Sequence, residues 1–134
     1  MNEDIYQAAI VEAARRGAED RRLAAPDRSA TADNPLCGDR VTIDVALNDG
    51  RIAALGYRAR GCALCQAATA YLAEAALGKT PAEAASLAGE AQKAVTPEAA
   101  PAAAPWNVFA PVRAHPSRRD CVTLAFEALK CALG

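Results

Sequence analysis

Two short runs of alternating hydrophobicity, joined by Asn48-Asp49-Gly50, constrain this chain more than any other feature of its sequence. Val41, Ile43, Val45 and Leu47 alternate with Thr42, Asp44 and Ala46, the period of a half-buried strand. The Asn-Asp-Gly turn tolerates positive φ, so residues 51 to 60 are expected to return as the second strand of a hairpin. Ile52, Leu55 and Tyr57 keep the alternation only imperfectly there. A hairpin brings its two ends together, and here those ends carry Cys37 and Cys62. Two thiols far apart in sequence are therefore expected to meet in space.

Helical patterns surround the hairpin. Residues 4 to 23 read as a helix through Ile5, Ala8, Ala9, Glu12 and Arg16, with Ile10 and Val11 widening its apolar face and Ala25-Pro26 ending it. Residues 26 to 36 read as a loop. The alanine-rich run from Ala63 to Leu77 is helical, stopped by Gly78. Thr80-Pro81-Ala82-Glu83 has the form of a capping box and opens a helix that runs to Leu87 or Ala88, before Gly89; residues 90 to 95 fit no single pattern. Pro97, Pro101, Pro105, Pro111 and Pro116 make residues 96 to 116 a loop, read as an ordered cover anchored by Trp106 and Phe109. Ser117 or Asp120 then caps a last helix reaching about Ala132. The expected fold is α+β, a small antiparallel sheet (hairpin 41–60) packed against several helices, in one domain spanning residues 1–134.

Composition narrows the function. Hydrophobic residues make up 52% of the 134, but only 4% are aromatic and much of the apolar share is alanine, so the core is thin. The formal charge of -1 argues against general nucleic-acid binding, which needs a cationic surface. No run of about 18 apolar residues marks a membrane span, and the acidic start Asn2-Glu3-Asp4 lacks the features of a signal peptide. A cytoplasmic location is expected. Arg15, Arg16, Arg21 and Arg22, and again Arg113, Arg118 and Arg119, read as solvated faces.

Five cysteines in such a chain favour metal binding or thiol chemistry over a disulfide framework. Cys121 falls in the first turn of the last helix, where unpaired N–H groups favour a thiolate. Asp39 lies two residues beyond Cys37, with Gly38 between them to relieve crowding. Cys37, Cys62 and Cys121 with Asp39 make a tetrahedral zinc set; the same thiolates suit an iron–sulfur cluster, with Asp39 as the weaker fourth ligand. From spacing alone, metal binding, reactive thiol chemistry and inert buried thiols all stay open. Cys65 is either a spare ligand or resolving thiol for the same site, or a packed small hydrophobe. Cys131 reads as a core thiol and His115 as a loop histidine. Arg118, about one turn before Cys121, is placed to stabilise its thiolate or a bound sulfur anion.

At these residues the chain resembles the NifU N-terminal/IscU-like iron–sulfur cluster assembly family, and within it the SufU-like branch. Asn34-Pro35-Leu36-Cys37-Gly38-Asp39, Arg60-Gly61-Cys62-Ala63-Leu64-Cys65 and Pro116-Ser117-Arg118-Arg119-Asp120-Cys121-Val122-Thr123-Leu124 are similar to the family's three ligand motifs. The opening Ile5-Tyr6 helix and the order of elements agree. Asp120 stands where IscU-like scaffolds carry histidine, and the interval from Cys62 to Cys121 is long, as in the SufU-like branch. The resemblance implies a SufE/NifU-like fold, Zn2+ or iron in a [2Fe–2S] cluster on Cys37, Asp39, Cys62 and Cys121, and Cys121 as sulfur acceptor with Arg118 beside it. It implies a cysteine desulfurase as partner and a downstream scaffold or apo-protein as recipient. The chain is then either a sulfurtransferase or a non-enzymatic scaffold. A thiol–disulfide protein using Cys62 and Cys65, and a structural zinc module, are the rival readings.

Overall fold

The structure is a computed structural model that describes residues 7–36, 38–100 and 102–134. The hairpin is its centre. Strands β2 (Asp39–Asn48) and β3 (Arg51–Arg60) pair antiparallel across a turn in which Asp49 and Gly50 both have positive φ, the geometry that matches strand twist. The pairing slips one residue near the turn: Ala46 faces Ala54 but Leu47 faces Ile52. This bulge explains the imperfect alternation of β3, because it lets Ile52 and Tyr57 both point into the core.

A third strand departs from the sequence reading. Residues 26 to 36, expected as a loop, contain β1 (Arg28–Asn34), which pairs antiparallel with β2 to give the order β1-β2-β3. Its sequence, Arg-Ser-Ala-Thr-Ala-Asp-Asn, carries no large apolar residue, so neither period nor β propensity marks it. Its backbone bonds to β2, a Thr31–Thr42 hydroxyl bond of 2.9 Å and the packing of Ala30 and Ala32 on the core make it a strand.

The helices cover one sheet face. They are α1 (Ala8–Gly17), α2 (Ala63–Ala76), α3 (Pro81–Ala94) and α4 (Arg119–Leu133). Val41, Ile43, Val45, Ile52 and Tyr57 meet Leu64, Leu72, Phe126 and Leu129 in one core with Ile10. The first helix is shorter than the expected 4–23. Beyond Gly17 the chain turns along β3, where Arg21 and Tyr57 exchange backbone hydrogen bonds of 2.8 and 3.1 Å. That sheet contact outcompetes continued helix, and Val11, expected on the apolar face, points outward. The capping box forms as read, with Thr80 and Glu83 each bonding the other's backbone N–H. However, α3 runs through Gly89 to Ala94, since its buried side carries Ala84, Ala91 and Ala94 in helical register. Neither Ser117 nor Asp120 caps α4, which opens at Arg119 behind a 3-10 turn, Pro116–Arg118.

Residues 96 to 116 form the expected ordered cover, without α-helix or strand among the described residues and with a 3-10 run at Trp106–Ala114. Trp106 and Phe109 are buried and stack edge-to-face with Phe126 and Tyr71, at centroid separations of 5.3 to 6.5 Å. Arg113 is no solvated residue: its guanidinium donates to the carbonyls of Lys93, Ala94, Ala99 and Ala100 at 2.9 to 3.2 Å, closing the end of α3.

Asp44 alternates with the apolar residues of β2, yet it is fully buried as well. Residues 20 to 29 fold over it: Arg22 binds its two oxygens at 2.5 and 3.0 Å, the Leu23 N–H at 3.0 Å and the Ser29 hydroxyl at 2.6 Å. Burial alone would raise this carboxyl. The bonds from Arg22, Ser29 and Leu23, with the Arg22 charge, outweigh it and hold the group below its ordinary range.

Two stability outcomes follow from these contacts. D44N is expected to lose about 2 kcal/mol at pH 7, because it leaves charge-assisted donors without their acceptor. A carboxyl depressed in the folded state contributes above its unfolded value of 3.8 and loses that contribution as pH falls through the lower folded value. The gap between wild type and D44N in urea titrations therefore shrinks from pH 4 downward. G89A is expected to raise stability by up to about 1 kcal/mol, as Gly89 is exposed in mid-helix with open space where a Cβ would stand.

Candidate metal centre

The site lies where the open end of the hairpin meets the starts of two helices. Asp39 is the first residue of β2, and in register Arg40 faces Arg60 at the end of β3. Asp39 therefore stands beside Gly61 and Cys62, the residues that lead into α2. Cys62 is the N-cap of that helix. Cys121 belongs to the first turn of α4, which packs across β1, β2 and α2. The result is that an oxygen of Asp39 and the Sγ atoms of Cys62 and Cys121 lie within 4.8 Å of one another. Asp39 and Cys121 are buried and Cys62 is half-buried.

Cys37, the fourth expected ligand, lies outside the described residues. Its neighbours form the turn that leads into β2: the Leu36 N–H bonds Asn34 Oδ1 at 3.1 Å and the Gly38 N–H bonds the Asn34 carbonyl at 2.8 Å. Gly38 has φ 76 and open space around it, so it serves this left-handed turn and relieves no crowding. The crowded glycine is Gly61. A Cβ there would overlap Asp39 Oδ1, the same oxygen that accepts the Cys62 N–H at 3.1 Å. Sequence reading treated Gly61 only as the end of a strand. A glycine between a strand end and an N-capping cysteine was the signal that it holds the site open.

The electrostatics are those of three acids sharing too little room. Asp39 Oδ2 is 3.8 Å from Cys62 Sγ, and the two thiols bond each other. Cys62 is drawn down to about 6, chiefly by the bond from Cys121, with burial opposing it and the N–H groups of Cys65 and Leu64 assisting. Cys121 is pushed far up, because Cys62, burial and Asp39 all oppose a further negative charge. In the metal-free cluster these neighbours therefore oppose the charge that the start of α4 favours on Cys121. Two thiols and a carboxylate converging in a half-buried place form a donor set that a cation neutralises, and their chemistry fits zinc or iron.

The other residues sort as follows. Arg118 sits at the N-cap of α4, half-buried. Cys65, one turn into α2, is fully buried in the core, and its thiol is not part of the cluster. Cys131 is exposed, a correction to its reading as a core thiol: α4 turns it outward between Leu129 and Ala132, which are buried. His115 links the two 3-10 turns, donating its N–H to Val112 and accepting that of Arg118. No helix among the described residues is long and apolar enough to cross a membrane.

Comparison with known proteins bears on this arrangement. The family model described as NifU-like N terminal domain matches residues 6–134. The chain is 31% identical over 104 residues to the iron–sulfur cluster assembly scaffold protein IscU of Streptococcus pyogenes serotype M1, covering 75% of this chain and 65% of that relative, just under two thirds of its length. Among solved structures, an assembly scaffold protein assigned to the SUF system of Fervidobacterium islandicum AW-1 superposes with a TM-score of 0.89 at 25% identity, covering 100% of both chains. The N-terminal part of a nitrogen-fixing NifU-like protein from Brucella abortus gives 0.84 at 31% identity, over 98% of this chain and 94% of that one. The fold, the order of its elements and the match along nearly the whole sequence agree, and the chain belongs to the NifU-like N terminal domain family.

Proposed function

We propose that this protein takes part in iron–sulfur cluster assembly, holding a metal through Cys37, Asp39, Cys62 and Cys121 and accepting persulfide sulfur from a cysteine desulfurase. The observation that carries the proposal is the convergence of Asp39, Cys62 and Cys121 within 4.8 Å at the open end of the hairpin. The names of its curated relatives and of the Fervidobacterium structure, cluster assembly scaffolds, support the process.

The chain's own residues have distinct parts. Asp39 and Cys62 are tied together by a backbone bond and stand ready as a pair. Cys121 arrives on a separate helix, where Cys62, burial and Asp39 oppose a further negative charge. A bound cation would supply the positive charge that lets all three stay deprotonated. Cys121, once ionised, is the nucleophile. Its sulfur attacks the outer sulfur of the donor's persulfide, the donor's S–S bond breaks, the donor leaves as a thiolate and Cys121 becomes the persulfide. Arg118, about one turn earlier, is assigned to steady that anion. Within the family the SufU-like, zinc-holding version is favoured by Asp120 before Cys121 and by the long interval from Cys62. The scaffold version, in which the same residues hold a [2Fe–2S] cluster, is favoured by the relatives' names. The recipient is a downstream scaffold or an apo-protein, and residues 1–134 act as one domain.

Anaerobic purification followed by metal and acid-labile sulfide analysis tests the centre, repeated for C121A and D39A. Stoichiometric zinc without sulfide is the expected result, with metal content falling at least tenfold in D39A. Iron with sulfide would instead establish the scaffold version, and a wild type that takes up neither metal would overturn the centre altogether. G61A should retain its helical circular dichroism and yet bind zinc at least tenfold more weakly in chelator competition. The reason is that its methyl group displaces the Asp39 carboxylate.

A further inference from the structure

The sheet face away from the helices has a character the metal centre does not explain. Alternation places Arg40 and Thr42 of β2, Arg58 and Arg60 of β3 and Thr31 of β1 on that face. With Arg22 they line a shallow hollow of four guanidiniums and two hydroxyls. A second hollow, lined by Asp33, Asn34, Pro35, Gly38 and Asp39, shares Arg40 and Arg60 with the first. The arginine face therefore runs continuously to the ligand Asp39.

Such an arrangement opposes stability. Arg40 and Arg60 are direct cross-strand partners, and like charges placed opposite each other destabilise a sheet. The compensation within the chain is uneven. Arg22 is committed to the buried Asp44. Arg40 pairs with Asp33 and Arg58 with Asp20, the latter at 3.5 Å, and all four side chains are at least 44% exposed. Exposed pairs of this kind contribute little and exchange readily for other carboxylates. Guanidiniums suit such exchange, since each presents a planar fork to a carboxylate. An overall charge of -1 makes a concentrated cationic face a local feature rather than a general one.

We propose that this arginine face is a docking surface for an acidic polypeptide segment of a partner protein, which would lie across β2 and β3 and end beside Asp39. Asp and Glu side chains of the segment replace Asp20 and Asp33 and relieve the Arg40–Arg60 opposition. None of its arginines is among the candidate metal ligands, so its occupancy can be read without any metal or sulfur chemistry.

Fluorescence anisotropy with a labelled peptide of ten glutamates, at 50 mM and 300 mM NaCl, tests the surface on the full chain. R58E/R60E should bind at least tenfold more weakly than wild type at 50 mM, with the difference collapsing at 300 mM. The control R15E/K93E makes the same change in net charge at exposed positions off this face and should stay within twofold of wild type. Circular dichroism and metal content of both variants verify that each is folded. Equal weakening in the two double variants would overturn the proposal, because net charge would then suffice. So would a wild type that shows no binding, or one from which pyrophosphate displaces the peptide at lower concentration than a free peptide of the same length, since that marks a small-anion site.

Discussion

The bond from the Cys62 N–H to the Asp39 carboxylate is the point on which the arrangement turns. It joins the first residue of one strand to the residue that starts a helix after the other, so it closes the open end of the hairpin. A carboxylate in that place satisfies a donor at the helix start, as a capping residue would. It also sets an oxygen beside two sulfurs. The local device that starts α2 and the device that gathers metal ligands are therefore the same side chain, and Gly61 is what lets them coincide.

Building a site from acids at the edge of a thin core has a physical consequence. Alanine-rich helices bury little area per residue, and the bulk of the larger apolar contact comes from β2, the aromatic cluster around Phe126 and a few leucines. Polar anchors supplement that core. Arg113 gathers four carbonyls, and Asp44 gathers Arg22, Leu23 and Ser29. Both fix long connections that lack regular secondary structure. They do for the loops what the hairpin register does for the ligands.

How much of this was legible in the sequence depended on whether the signal was local. The turn at Asp49 and Gly50, the Thr80–Glu83 box and the buried Trp106 and Phe109 follow from neighbouring residues, and each is present as read. The approach of Asp39 to Cys62 was legible because a hairpin brings its ends together, whereas Cys121, on α4, was placed with them by the family resemblance. Strand β1 was not, since its residues have no pattern of their own and are strand only because β2 offers them a free edge. The same holds for Asp44, whose burial depends on a segment about twenty residues away folding over it, and for the continuation of α3 through Gly89, which tertiary contact overrides. For the same reason the sequence does not show what opposes a charge on Cys121 in the metal-free cluster: Cys62, burial and Asp39 meet it only in the fold.

The candidate ligands are divided between two parts of the chain that are far apart in sequence. Asp39 and Cys62 belong to the hairpin and its following helix, whereas Cys121 belongs to α4 at the other end. Any cation held between them must add its binding free energy to the docking of α4 on the sheet. Amide hydrogens of α4 and of β2 would then gain protection together. The centre would therefore act as a clasp whose state is reported along the whole length of the last helix, well away from the atoms that make it.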